Sequence, residues 1–157
     1  MKMTFRWYGE KDCIPLSYIK QIQGMTGVVT AVYDVPVGEV WDLEKLVRLK
    51  ELAAAAGLET EVIESIPVHE DIKLGCPTRD KLIANYAQNI INCGKIGVKC
   101  VCYNFMPVFD WFRTNLRYEH ADGSNSLSYS EADFKKLDRN NLRLPGWDES
   151  YTQGELG

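Results

Sequence analysis

Strand-like and helix-like stretches take turns along residues 3 to 105, and that alternation constrains the fold more than any other feature of the chain. "MTFRWYG" has the aromatic and β-branched content of a strand. "PLSYIKQI" reads as a short helix with Pro15 at its first position, where a missing N–H costs nothing. "TGVVTAVYDV" is a second strand. "DLEKLVRLKELAAAAG" is the clearest helix, with Asp42 at its cap, an apolar face through Leu43, Leu46 and Val47, and Gly57 to end it. "ETEVIES" gives a third strand. "TRDKLIANYAQNIINCGKIG" gives another helix, capped by Thr78, with an apolar stripe of Leu82, Ile83, Tyr86, Ile90 and Ile91 and a stop at Gly94. "VKCVCYNF" is the fourth strand. Strands separated by helices indicate a parallel sheet covered by helices, and short apolar strands indicate burial on both faces.

Beyond Phe105 the regularity stops. One short helix is expected near "YSEADFKKL"; "HADGSNSLS", "RNNLRLPGWDES" and "QGELG" read as loop. Loop regions this long are functional or disordered. The expected organisation is therefore an α/β unit over residues 1–105 and a long loop or insertion region over 106–157.

Composition excludes several classes. The 157 residues amount to about one domain, 45% hydrophobic and 25% charged, as in ordinary globular proteins. A formal net charge of −4 without a Lys/Arg cluster argues against a nucleic-acid partner. "MKMTFRWYGEKDC" lacks the apolar core of a signal peptide, and no apolar run is long enough to span a membrane. The odd count of five cysteines at irregular spacing suits reduced thiols, so a cytoplasmic location is expected. Neither type of Gly-rich phosphate loop is present.

In parallel α/β folds ligands bind at the carboxyl ends of the strands. Those ends carry Arg6-Trp7-Tyr8, Tyr33-Asp34, Glu64-Ser65 running on to His69, and Asn104 running into "MPVFDWFR". Arg6 suits a substrate carboxylate through its planar fork, or a neighbouring acidic side chain. Glu64 suits acid–base work or a metal, or a pairing with an arginine. His69 suits a ligand or proton shuttle, or a solvated loop. Asp34 is expected to cap the turn after its strand, and His120 to lie on the surface. Cys100 and Cys102 share one strand face with Asn104, while Val101, Tyr103 and Phe105 point the other way. A Cys-X-Cys pair without a second pair at zinc spacing is not a structural zinc motif, so packing is the expected role of these cysteines.

"FRWYG", "GMTGVVTAVYDVPVGEVW", "GLETEVIESIPVHEDIKLG" and "VCYNFMPVFDWFRTNL", with "LPGWDESY" further on, together resemble the amino-terminal part of the mannonate dehydratase family. The resemblance covers essentially the whole chain. It implies a (β/α)8 TIM barrel of the xylose-isomerase-like kind and the dehydration of D-mannonate to 2-keto-3-deoxy-D-gluconate in hexuronate breakdown. It also implies a divalent metal, Mn²⁺ or Fe²⁺, that stabilises enolate-like charge after the proton α to the carboxylate is removed. A (β/α)8 barrel takes ~250 residues, so this chain supplies about four of the eight strands. By the resemblance, the metal ligands and the catalytic His and Tyr belong to the other half, and no position here matches them. The residues expected to line a substrate pocket are Arg6, Trp7, Tyr8, Glu64, His69, Asn104, Asp110, Trp111 and Arg113, with Arg6 or Arg113 on the substrate carboxylate. A half-barrel has open edges and uncovered apolar surface, so a homo-oligomer, or pairing with the missing half, is expected, and no dehydratase activity alone. Two other readings remain: a metal-dependent sugar isomerase or epimerase on the same barrel, with Glu64 or His69 as metal ligands, and a non-catalytic oligomeric half-barrel.

Overall fold

The computed structural model describes residues 1–106 and 113–136. These fall into two units, Met1–Phe105 and a second beginning at Met106. Asp110 and Trp111, and the stretch 144–151, lie outside the described residues.

In the first unit β1 (Met3–Arg6), β2 (Met25–Thr30), β3 (Glu59–Glu64) and β4 (Cys100–Cys102) form one sheet in that order, every neighbouring pair parallel. Between them run α1 (Leu16–Lys20), α2 (Leu43–Ala55), a one-turn α3 (Glu70–Lys73) and α4 (Arg79–Lys95). The expected alternation is present, and α3 is an addition inside the stretch read as a loop. Asp42 and Thr78 stand at the cap positions of α2 and α4, but neither side chain makes a capping hydrogen bond. The Thr78 hydroxyl instead donates to Asp71.

The register decides which residues share a face. Phe5 lies beside Val28, Thr30 beside Ile63, and Ile63 beside Val101. Val28 packs with Ile19 of α1 and Ala53 of α2, and Ile63 with Leu46 of α2 and Cys93 of α4. The three longer helices thus cover the same face. The opposite face, which carries Arg6, Val29, Val62, Glu64, Cys100 and Cys102, is covered by no described helix. Burial on both faces, as the apolar strands suggested, is therefore not what the described residues show.

Two differences concern α4. Its stop is not Gly94 but Gly97, whose φ of +88° is the left-handed conformation a helix terminus needs. Gly97 N–H donates to the Gly94 carbonyl at 3.0 Å and Val98 N–H to the Cys93 carbonyl at 3.1 Å, the paired bonds of a Schellman ending. Gly57 closes α2 with the same pair of bonds. The second difference is the buried face. Asn89, Asn92 and Cys93 are buried, whereas Ile83, Ile90 and Ile91 are about half-exposed. The reason is hydrogen bonding. Asn85 Nδ2 donates to the Gly38 carbonyl (2.8 Å), Asn89 Nδ2 to that of Glu39 (3.0 Å), and Asn92 Nδ2 to that of Trp41 (3.0 Å). Asn89 Oδ1 accepts from Trp41 N–H at 2.7 Å. These amides sew α4 to the loop before α2, and the loop's backbone demands a polar helix face.

Cysteine placement gives a direct check. Cys13 and Cys100 are exposed, and Cys93 is buried, its thiol pushed up to about 11 by burial. With a thiol-specific dye at pH 8, Cys13 and Cys100 are expected to label in the folded chain and Cys93 only after denaturation. Labelling of native Cys93 at a comparable rate would contradict this packing. Cys100 also departs from the packing role expected of it, because the sheet face it sits on is open.

In the second unit β5 (Asn115–Glu119) and β6 (Asn125–Ser128) pair antiparallel, and α5 (Glu131–Phe134) follows. The short helix falls within "YSEADFKKL", but the hairpin replaces what read as loop. Its signal was the Asp122-Gly123 dipeptide between Leu116, Tyr118 and Leu127, with Gly123 at φ +81°. Every residue of β5 is exposed, so no strong apolar alternation advertised it.

Candidate substrate-binding site

The carboxyl ends of β1 and β3 bring together Arg6 and Glu64. Arg6 Nη1 lies 3.3 Å from Glu64 Oε2, with the two side chains 32% and 50% exposed. The neighbouring-carboxylate reading of Arg6 and the arginine-pairing reading of Glu64 are thus one ion pair. It is open to solvent rather than buried, so an incoming anion can compete for the guanidinium. Arg6 Nε is buried and has no hydrogen-bond partner among the described residues.

Tyr8 and Tyr33 flank this pair. The Arg6 guanidinium carbon stands 5.1 Å from the Tyr8 ring centroid, within range of a cation–π contact. The Tyr8 and Tyr33 rings are 5.7 Å apart and tilted. The Tyr33 hydroxyl donates to the Trp7 carbonyl at 3.5 Å; burial pushes its pKa up, while the Arg6 charge pulls the other way. Asp12 holds the loop that carries Tyr8: its carboxylate accepts Tyr8 N–H at 2.7 Å and Ile14 N–H at 2.9 Å. Those two N–H groups keep the Asp12 carboxyl below its usual range. Tyr33 and Asp12 were not among the expected site residues. Tyr33 ends a strand stretch, which was a usable signal; Asp12 left none, because its role depends on the loop's curvature.

Beside the tyrosines a cleft of about 410 Å³ opens towards Lys45 and Arg48 of α2. Two of its cations are already engaged. Lys45 Nζ lies 2.6 Å from Asp34, whose carboxyl it holds below the usual range, and Arg48 lies 3.3 Å from Glu10. Asp34 is therefore an ion-pair partner of α2 rather than the cap of its own turn.

The remaining expected residues separate. Trp7 is 3% exposed and packs on the helix-covered face with Ile19, Val28 and Leu58, so its indole is core. His69 caps α3: Nδ1 accepts Asp71 N–H at 3.1 Å and lies 3.7 Å from the Asp71 carboxylate. Its ring packs against Gly38, where an added Cβ would come within 3.0 Å of His69 Cδ2. The structure thus engages His69 with α3 and the Gly38 loop. Asn104 follows β4, half-buried, continuing the face of Cys100 and Cys102. Burial, then the neighbouring Cys100 thiol, pushes Cys102 up. Arg113 belongs to the second unit and is half-buried. Among the described residues no three His, Cys, Asp or Glu side chains converge as a metal would require. These residues do not fit the metal that the resemblance implies, and the isomerase reading, which needs Glu64 or His69 as ligands, gains no support from them.

The sequence profile of the D-mannonate dehydratase (UxuA) family matches residues 1–156. A mannonate dehydratase of Streptococcus uberis is 59% identical over 99% of this chain and 45% of its own length. One from Streptococcus equi subsp. zooepidemicus is 58% identical over 99% of this chain and 43% of its own. The crystal structure of mannonate dehydratase from Streptococcus suis serotype 2 superposes with a TM-score of 0.84 at 52% identity, covering 99% of this chain and 46% of that one. The chain spans less than half the length of these relatives. With 156 of its 157 residues inside one family profile, and a four-stranded parallel sheet that superposes on a solved relative, this chain belongs to the D-mannonate dehydratase family.

Proposed function

We propose that this chain forms one half of the substrate site of a mannonate dehydratase, a hydro-lyase that removes water from D-mannonate to give 2-keto-3-deoxy-D-gluconate in hexuronate breakdown. The observation that carries the reading is the solvent-open Arg6–Glu64 pair at the carboxyl ends of parallel strands, in a chain of this family. Two features support a partial (β/α)8 barrel. The strands follow in chain order without the reversal that marks a doubly wound sheet. The helices cover one face only, and parallel sheets do not leave a face to water; a barrel buries that face by closing on itself. Residues 1–105 are then four βα units, and 106–157 an insertion after the fourth strand.

In this reading Arg6 binds the substrate carboxylate in exchange for Glu64, Tyr8 and Tyr33 keep the guanidinium in place, and Asn104 meets a hydroxyl. By the family resemblance a divalent ion, Mn²⁺ or Fe²⁺, would lower the cost of the enolate-like charge, and its ligands would come from the other half of the barrel. The location is cytoplasmic; among the described residues no helix is long and apolar enough to cross a membrane.

A chimera tests this: the chain replaces the matching part of the Streptococcus uberis relative. D-Mannonate dehydration is expected, and a folded but inactive chimera would overturn the reading. Within it, Arg6→Ala is expected to lower kcat/KM about 10- to 100-fold. A charge-assisted hydrogen bond is worth roughly 1.5–3 kcal/mol, and ~1.4 kcal/mol is a factor of ten. An unchanged kcat/KM would remove Arg6 from the site.

A further inference from the structure

The Arg6 side chain is 32% exposed, and its ion pair with Glu64 is open to solvent. Its Nε is buried, which leaves the terminal nitrogens to meet a ligand. When a carboxylate takes the place of Glu64, the described contacts that remain to Arg6 are with the tyrosines. The Tyr8 ring stands 5.1 Å from the guanidinium carbon, and the Arg6 charge acts on the Tyr33 hydroxyl. Tyr8 is itself 57% exposed, so packing alone does not fix its ring.

The backbone of the loop between β1 and α1 fixes it instead. The loop leaves from a firm point: Trp7 N–H donates to the Val29 carbonyl at 2.9 Å, and the Trp7 indole is buried. The chain then reverses at Gly9, whose φ of +84° suits glycine, and Asp12 N–H donates to the Gly9 carbonyl at 3.0 Å. The Asp12 side chain closes this turn from within. Its Oδ2 accepts Tyr8 N–H at 2.7 Å and its Oδ1 accepts Ile14 N–H at 2.9 Å. One carboxylate thus satisfies a backbone donor on each side of the reversal. Both bonds are charge-assisted, the stronger kind. An amide in its place would set an NH2 group against one of the two N–H donors.

We propose that Asp12 is a positioning residue for Arg6: through the Tyr8 backbone it sets the ring that keeps the guanidinium aimed at a ligand carboxylate, given that Arg6 binds the substrate carboxylate as proposed above. The two oxygens of Asp12 are spent on backbone N–H groups, so it acts on how the ligand is held and not on the chemical step. Its effect therefore belongs in KM.

In the chimera, Asp12→Ala is expected to raise KM for D-mannonate about 5- to 20-fold with kcat within about 3-fold, a part of the loss expected for Arg6→Ala. Asp12→Asn, which keeps one acceptor, is expected to fall between Asp12→Ala and the parent. In an Arg6→Ala background Asp12→Ala is expected to change KM no further, because the two residues act as a unit. A second readout needs no activity. Phenylglyoxal modifies arginine side chains, and peptide mass mapping follows each one separately. In this chain Asp12→Ala and Tyr8→Ala are each expected to speed modification of Arg6 about 2- to 5-fold, the size of one lost cation–π contact. Arg79, at the start of α4, is the internal reference and keeps its rate. Tyr8→Phe, which retains the ring, keeps Arg6 at the parent rate. Circular dichroism establishes that each variant folds, and where Asp12→Ala does not, Asp12→Asn carries the comparison.

An unchanged Arg6 rate in the folded Asp12 variant, or an equal rise in KM with and without Arg6, would overturn the proposal, since Asp12 would then serve the loop alone. Faster Arg6 modification while the parent chimera dehydrates nothing supports the clamp and counts against the dehydratase reading. An active chimera whose Arg6 rate ignores Asp12 does the reverse.

Discussion

Purified alone and supplied with D-mannonate and either Mn²⁺ or Fe²⁺, the chain is expected to release no 2-keto-3-deoxy-D-gluconate above a protein-free blank. The reaction needs a proton taken from the carbon next to a carboxylate, and the charge left behind must be stabilised as it forms. A bound divalent ion supplies several kcal/mol of that stabilisation, and each ~1.4 kcal/mol withheld costs a factor of ten. Among the described residues no cluster of three ligating side chains exists to hold such an ion. What is present is a guanidinium open to water and already paired with Glu64. Water at a half-walled site screens that charge and weakens its pull on a developing oxyanion. The product is read by mass spectrometry after a long incubation, with the chimera as the positive control. Turnover by the isolated chain within about tenfold of the chimera would mean that the described half is catalytically sufficient.

Legibility in the sequence followed the range of the interaction concerned. The four strands and the long helices were legible because their signals are local: β-branched runs, a 3.6-residue period, a glycine where a left-handed turn is needed. The site was legible only as a set of strand ends. That Arg6 and Glu64 meet is a matter of β1–β2–β3 register, which no local pattern encodes. Trp7 shows the limit most plainly. It sits between Arg6 and Tyr8 in sequence, yet the pleat turns it to the opposite face and into the core. His69 carried the residue type of a ligand, and the structure uses it as a helix cap. Gly94 reads as a helix stop because glycine is common at helix ends, yet α4 runs through it to Lys95. Among the described residues nothing lies within 4 Å of a Cβ placed there. The hairpin leaves little trace in the sequence because its strands are largely exposed, so nothing apolar alternates strongly.

Asn89→Leu is expected to destabilise the first unit by about 2–4 kcal/mol, although it adds apolar surface to a buried position. Asn89 is 3% exposed. Its Oδ1 is the acceptor for Trp41 N–H at 2.7 Å, and its Nδ2 donates to the Glu39 carbonyl at 3.0 Å. Leucine has nearly the same volume, so the change leaves no large cavity. It instead leaves a backbone N–H and a carbonyl beside the buried Trp41 indole without their partners. An orphaned buried group costs roughly 1–3 kcal/mol, and domains hold only about 5–15 kcal/mol in total. Asn85→Ala should cost less, about 0.5–1.5 kcal/mol, because its hydrogen bond to the Gly38 carbonyl is only partly buried. Asn89 and Asn92 both bond the backbone of Trp41, so their double variant should lose less than the sum of the singles. Urea midpoints at constant slope measure all three. If Asn89→Leu matched the parent within ~0.5 kcal/mol, the loop backbone would be drawing its hydrogen bonds from water. The asparagine ladder would then be a consequence of the packing of α4 rather than its cause.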